Sequence, residues 1–72
     1  MTDEQKVVFR ERLIGLMKKK GHTPQTLARR IGSPDKTIRN YVNGKSTPTP
    51  MFLKALAQVL CVSEGYLKGE EE

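Results

Sequence analysis

The sequence has very few of the residues that build metal sites or disulfides. One cysteine, Cys61, and one histidine, His22, occur among its 72 residues. A Cys/His zinc site needs several such ligands and a disulfide needs two cysteines, so neither can form within this chain. We interpret Cys61 as a small buried hydrophobe rather than a reactive thiol. The sequence predicts no metal and no cofactor, and it gives no sign of an oxidising compartment.

Long apolar runs and catalytic constellations are also missing. No stretch approaches the ~20 apolar residues that span a bilayer, and the N-terminus is polar rather than signal-like. There is no second histidine, no nucleophile beside a base and no glycine-rich phosphate loop. We therefore expect a soluble, cytoplasmic protein that is not an enzyme, does not associate with a membrane and has no evident small-molecule ligand.

Basic charge is plentiful and unevenly placed. Thirteen Lys and Arg against eight Asp and Glu give a net charge of +5. Positions 18 to 45 contain eight basic residues and one acidic residue, a net charge of +7, whereas positions 64 to 72 contain four acidic residues and one lysine, a net charge of −3. A positive middle with an acidic end predicts that one part of the surface faces a polyanion.

Proline and glycine mark the ends of five predicted helices. Each of the four prolines follows a Ser or Thr, which suits a hydroxyl cap with proline at the first helical position. Glycines follow several of the apolar stretches, as is common at helix ends, and no segment alternates as a half-buried strand would. We predict helices over 3–20, 24–31, 34–43, 50–61 and 64–67, with a disordered end from Gly69.

Apolar residues recur on one face of each predicted helix. A chain this short forms one domain with one small core. The fold class is therefore predicted as all-α: a compact five-helix bundle over residues 1–69, followed by a short acidic tail over 70–72.

The polar face of the predicted helix 34–43 is suited to reading DNA bases. At ~100° per residue, its main polar side chains fall within an arc of about 100°: Lys36, Arg39, Asn40 and Asn43. Lys and Arg can pair with guanine, and Asn with adenine, in the major groove. Asp35 has two open interpretations, since it could accept a hydrogen bond from cytosine or stabilise the helix dipole.

A short helix, a tight turn at Gly32 and Ser33, and a second short helix have the order of a helix-turn-helix unit. This unit and the chain after it share a set of positions in register: Leu27, Ala28, Gly32, Ile38, Tyr41, Asn43, Gly44, Lys45, Pro48, Leu53, Leu56, Ala57, Leu60, Val62, Ser63, Tyr66 and Leu67. On these residues the chain resembles the lambda-repressor-like helix-turn-helix domains of phage and bacterial regulators, over about Phe9 to Gly69.

The resemblance implies two sets of DNA contacts. It implies base readout by Asp35, Lys36, Arg39 and Asn40. It implies phosphate contacts, which set register rather than sequence, by Thr23, Gln25, Asn43, Gly44, Lys45 and Ser46. Two positions depart from the family pattern. Pro24 stands where many members have a phosphate-binding glutamine, and the apolar pair Met17 and Val42 replaces a common Arg–Glu pair.

These features predict sequence-specific binding of double-stranded DNA by a bacterial or phage transcriptional regulator, with repression as the expected mode. One module buries only ~600–1,000 Å² on DNA, so we expect a homodimer on an inverted-repeat operator, joined through residues 62–67. The alternative is a protein-interaction module of the same fold, such as an antitoxin or accessory subunit. RNA is less favoured because the sequence leaves no aromatic residue for base stacking.

Overall fold

A computed structural model describes residues 1–71 as five α-helices with no strand, which confirms the all-α prediction. The helices are α1 (Asp3–Lys20), α2 (Pro24–Ile31), α3 (Asp35–Val42), α4 (Pro50–Leu60) and α5 (Glu64–Lys68). None of them is long and apolar enough to cross a membrane. Glu72, the last residue of the predicted acidic tail, lies outside the described residues.

Helices α1 and α2 begin and end where the sequence predicts. Thr2 and Gln5 form a capping box at the start of α1, and Thr23 and Thr26 form one at the start of α2. In each box, two first-turn N–H groups find side-chain acceptors. Both helices end at a glycine in the left-handed conformation, a backbone state that costs glycine little.

Helix α3 is shorter than predicted because Pro34 is its cap and not its first residue. Pro34 has an extended backbone, with ψ 150°, and no side chain caps the helix. The Ser33 hydroxyl instead donates to the Pro34 carbonyl at 3.4 Å. At the other end, Asn43 caps the helix, and Gly44 adopts the left-handed conformation.

The junction between α4 and α5 corrects the interpretation of Cys61. This residue is exposed rather than buried, and it ends α4 as a left-handed cap with φ 58°. A left-handed residue turns its side chain out of the helical row, so the apolar periodicity that placed Cys61 in the core stops one residue earlier, at Leu60.

The core is built from apolar and aromatic side chains, with Tyr41 as its one hydroxyl-bearing member in the described chain. Its largest fully buried side chains come from all five helices: Phe9, Leu13, Leu27, Ile38, Leu56, Leu60 and Leu67. Within the described chain, the backbone of α3 comes close to those of α1 and α2 and not to those of α4 or α5. The helix with the polar face is therefore held at one side of the bundle.

The chain after α5 folds back and is not disordered as predicted, at least as far as Glu71. The N–H groups of Glu70 and Glu71 donate to the Gly65 carbonyl. The Arg12 guanidinium lies 4.2 Å from the centre of the Tyr66 ring and donates to the carbonyls of Tyr66 and Glu71. A basic side chain of α1 thus fastens the start of the acidic tail.

Candidate nucleic-acid interface

One face of α3 is anchored in the core and the other is open to solvent. Ile38 and Tyr41 are buried, and burial raises the pKa of the Tyr41 hydroxyl above its ordinary value. Lys36 and Arg39 are exposed on the opposite side. Because the apolar face is fixed, the cationic side chains project from a rigid support, as a base-reading helix in the major groove requires.

The two other residues predicted to read bases are less open. Asn40 is half-buried, and its carbonyl accepts hydrogen bonds from the N–H groups of Lys45 and Ser46 at 2.8 and 3.4 Å. Asp35 is half-buried as the first residue of α3. Since no side chain caps this helix, the Asp35 carboxylate is the negative charge that complements its N-terminal dipole. This placement favours the dipole interpretation of Asp35 and is compatible with base contact.

The start of α2 offers fewer donors to a phosphate than its position suggests. The N–H of Thr23 donates to Thr26 Oγ1 at 2.9 Å, and the N–H of Thr26 donates to Thr23 Oγ1 at 3.2 Å. Pro24 has no N–H. Within the described chain, the first-turn N–H of Gln25 has no hydrogen-bond partner. The groups left for the predicted phosphate contact are therefore the backbone N–H and the side chain of Gln25, with the exposed Thr23 hydroxyl beside them.

The loop after α3 uses its backbone donors internally. The N–H of Asn43 donates to the Arg39 carbonyl and that of Gly44 to the Tyr41 carbonyl, while Lys45 and Ser46 donate to Asn40. The groups left to make the phosphate contacts predicted for this exposed loop are therefore side chains, namely the amide of Asn43, the ammonium of Lys45 and the hydroxyl of Ser46. Gly44 supplies no donor; its role is the left-handed turn at φ 76°.

Arg10 on α1 lies beside the same loop, a position that its place in the sequence does not predict. Its Nε donates to the Val42 carbonyl oxygen at 2.6 Å, and its side chain is exposed. A Cβ on Gly44 would lie 3.5 Å from Arg10 Cδ. No local pattern reveals a contact between residues 32 positions apart; the only sequence signal is a basic residue outside the apolar face of α1.

The two departures from the family pattern have different consequences. Met17 is buried and Val42 is half-buried against the core. Packed apolar residues can replace a buried ion pair without loss of stability, so this exchange leaves the junction of α1 and α3 intact. Pro24 removes both a side-chain amide and an N–H from the start of α2, so fewer groups remain there for the predicted phosphate contact.

The segment predicted to join two copies, residues 62–67, is only partly exposed to solvent. Leu67 is fully buried, and Val62 and Tyr66 pack against the core. Ser63 and Glu64 are the exposed residues of that segment. An open groove of about 240 Å³ lies next to Glu64, between the N-terminus and the start of α4, and Met51 nearby in sequence is 72% exposed.

No group of three or more His, Cys, Asp or Glu in the described chain is placed to hold a metal ion. Comparison with known proteins gives one result. A family model described as helix-turn-helix, of the lambda-repressor-like type, matches residues 14–67, well over half of the chain. No curated protein and no solved structure matches the chain significantly.

Proposed function

The chain belongs to the lambda-repressor-like helix-turn-helix family, a family of DNA-binding regulators rather than enzymes, and we propose that it reads a specific double-stranded DNA sequence with α3 and thereby represses transcription. The observation that carries this proposal is the two-sided character of α3. Its apolar side is buried while Lys36 and Arg39 project from the other.

In this proposal, Lys36, Arg39 and Asn40 contact base edges from within the major groove, with Asp35 at the start of the same helix. Phosphates on either side of the groove are bound by the start of α2 and by the loop after α3, and these contacts set the register of α3. The residues that make them are Thr23, Gln25, Asn43, Lys45 and Ser46. Arginine and lysine suit guanine, and asparagine suits adenine. The operator is therefore expected to contain at least one guanine and one adenine in each half-site.

We propose further that two copies bind an inverted repeat. A module of this size covers ~600–1,000 Å² on DNA, which is little for specificity in a genome. Two copies on half-sites one helical turn apart, ≈34–36 Å, double the contact area. Repression follows if such a site overlaps a promoter, and it would take place in the bacterial cytoplasm, where the DNA lies.

The first test is selection of duplexes from a random library at moderate salt, followed by sequencing of the bound fraction. We expect an enriched inverted repeat, whose spacing reports the arrangement of the two copies. Enrichment of a single half-site by a chain that sediments as a monomer would contradict the dimer. Salt-sensitive retention without enrichment would contradict base reading and favour a protein-interaction module such as an antitoxin or accessory subunit.

The second test is Arg39→Ala, with Arg30→Ala as its matched control. Arg39 and Arg30 are both exposed helical arginines, but Arg30 belongs to the last turn of α2 and not to α3. We expect Arg39→Ala to abolish enrichment without changing the melting temperature, and Arg30→Ala to retain it. Equal losses in both variants would mean that overall charge, and not the face of α3, governs binding.

A further inference from the structure

The end of α3 is completed by a side chain from another helix. The last four carbonyls of a helix lack intrahelical partners. In α3, those of Arg39, Asn40 and Tyr41 accept N–H groups from the loop that follows. The fourth, that of Val42, accepts the Nε–H of Arg10 at 2.6 Å. Arg10 is therefore held in a defined position at the loop that carries Lys45.

This single hydrogen bond leaves most of the guanidinium free. The group is planar and carries five N–H donors in a rigid fork. The Nε–H is used by Val42, and within the described chain Arg10 makes no ion pair and no other hydrogen bond. Because the side chain is exposed, its two Nη groups are open to a ligand. A bidentate edge of this kind matches the oxygens of a phosphate.

The neighbouring loop of residues 43–46 has no free backbone N–H group with which to bind an anion. All four of its N–H groups, from Asn43 to Ser46, bond to carbonyls of α3, so the loop itself can bind an anion only through flexible side chains. Arg10 adds a fixed positive charge that does not depend on pH. Its Cδ lies 3.5 Å from the Cβ position of Gly44, so the arginine stem runs directly beside the left-handed turn.

We propose that Arg10 is a further phosphate-binding residue, which contacts the DNA backbone beside the loop of residues 43–46 while its Nε caps α3. This inference rests on the proposed function, since the phosphate belongs to the DNA on which α3 docks. It adds α1 to the elements that touch DNA. It also assigns the Val42 carbonyl a role, namely to orient the guanidinium before DNA arrives.

The experiment measures how affinity for a short random-sequence duplex depends on salt. Each phosphate neutralised contributes about 0.9 to the slope of log K against log salt concentration. We expect Arg10→Gln to reduce the magnitude of the slope by about 0.9, and Arg10→Lys, which retains the charge, to keep most of it. Arg29→Gln is the charge-matched control, because Arg29 is exposed in the last turn of α2, and it should leave the slope unchanged.

Thermal unfolding separates phosphate binding from a purely structural role. If Arg10 only caps α3, Arg10→Gln lowers the melting temperature but leaves the slope as it is at temperatures where the variant is folded. That result, or an equal slope change in Arg29→Gln, overturns the proposal while leaving DNA binding in place. A folded wild-type chain that binds neither this duplex nor any duplex selected from the random library overturns the proposed function itself.

Discussion

Phe9 and Tyr41 pack edge to face, with ring centroids 5.9 Å apart and ring planes at 77°. Phe9 belongs to α1 and Tyr41 to α3, so this aromatic pair ties the helix with the polar face to the longest helix of the bundle. Both side chains are buried, at 1% and 4% exposure. Since the backbone of α3 comes close only to those of α1 and α2 in the described chain, the pair is one of the contacts that hold its orientation.

Phe9→Leu is expected to reduce the free energy of unfolding by about 1–3 kcal/mol. The change removes the aromatic contact, worth about 0.5–1.5 kcal/mol, and leaves space where the ring packed. Chemical denaturation measures the loss. Val7→Ala on the same helix is the control, because Val7 is 56% exposed and its truncation should stay within about 0.5 kcal/mol of wild type. Similar losses in both variants would mean that the aromatic pair contributes nothing specific.

Alkaline pH should destabilise the fold through Tyr41. Burial raises the pKa of its hydroxyl above the ordinary 10.0. The unfolded chain therefore releases this proton at lower pH than the folded chain does. The stabilisation is fully present below pH 10, falls as the pH rises from 10 through the folded pKa, and is lost above it. Tyr41→Phe should make the free energy of unfolding less dependent on pH in that range.

Tyr66→Phe is the control for this titration, because it removes the other tyrosine and retains Tyr41. Denaturation at a series of pH values above 9 should show the wild-type alkaline loss in Tyr66→Phe and a smaller loss in Tyr41→Phe. The same pH profile in wild type and Tyr41→Phe would contradict the role of Tyr41 in the alkaline transition.

Cys61→Gly should be more stable than Cys61→Ala. Cys61 holds a left-handed backbone, φ 58°, and is the only residue other than glycine that does so in the described chain. Such a conformation costs a residue with a Cβ about 1–2 kcal/mol, while glycine loses part of that gain through its freer unfolded state. Melting temperatures of the two variants measure the difference, and a more stable Ala variant would contradict the strain at this cap.

Asn40→Ala and Lys45→Gln should impair DNA binding in different ways. Loss of a base contact at Asn40 should cost about 1–3 kcal/mol on the selected site and relax the preference at one base pair. Loss of a phosphate contact at Lys45 should weaken binding to all duplexes alike and reduce the salt slope by about 1. Competition binding with the selected duplex and a scrambled one distinguishes the two. A uniform loss in Asn40→Ala would contradict its role in base reading.

The local signals of the sequence were enough to predict most helix ends. Thr23 and Pro24 begin α2, and Gly32 ends it, as their chemistry indicates. The errors occur at two helix ends, the start of α3 and the end of α4, where the local residues do not decide which one caps the helix. Ser33 and Pro34 both suit a helix start, and only the folded backbone assigns the cap to Pro34. At Cys61, no glycine marks the end of α4, so the apolar pattern extended the helix by one residue.

The site was less predictable than the fold because its chemistry depends on which backbone N–H groups are already hydrogen-bonded within the chain. The family resemblance implies a phosphate contact at Gly44, but the N–H of this residue is bonded to the Tyr41 carbonyl, and that bond depends on how α3 ends. Thr23 and Thr26 likewise use each other's N–H groups. The contact of Arg10 with Val42 joins residues from two helices, and only the tertiary packing brings them together.

The exposure of Cys61 has a practical consequence. It is the one cysteine of the chain, and it lies exposed between α4 and α5, the two helices whose backbones do not come close to that of α3 in the described chain. A maleimide dye attached there would label each molecule once without removing any residue from the faces of α2 and α3. Its fluorescence anisotropy would then report the slower tumbling of the chain when it binds a duplex or a second copy.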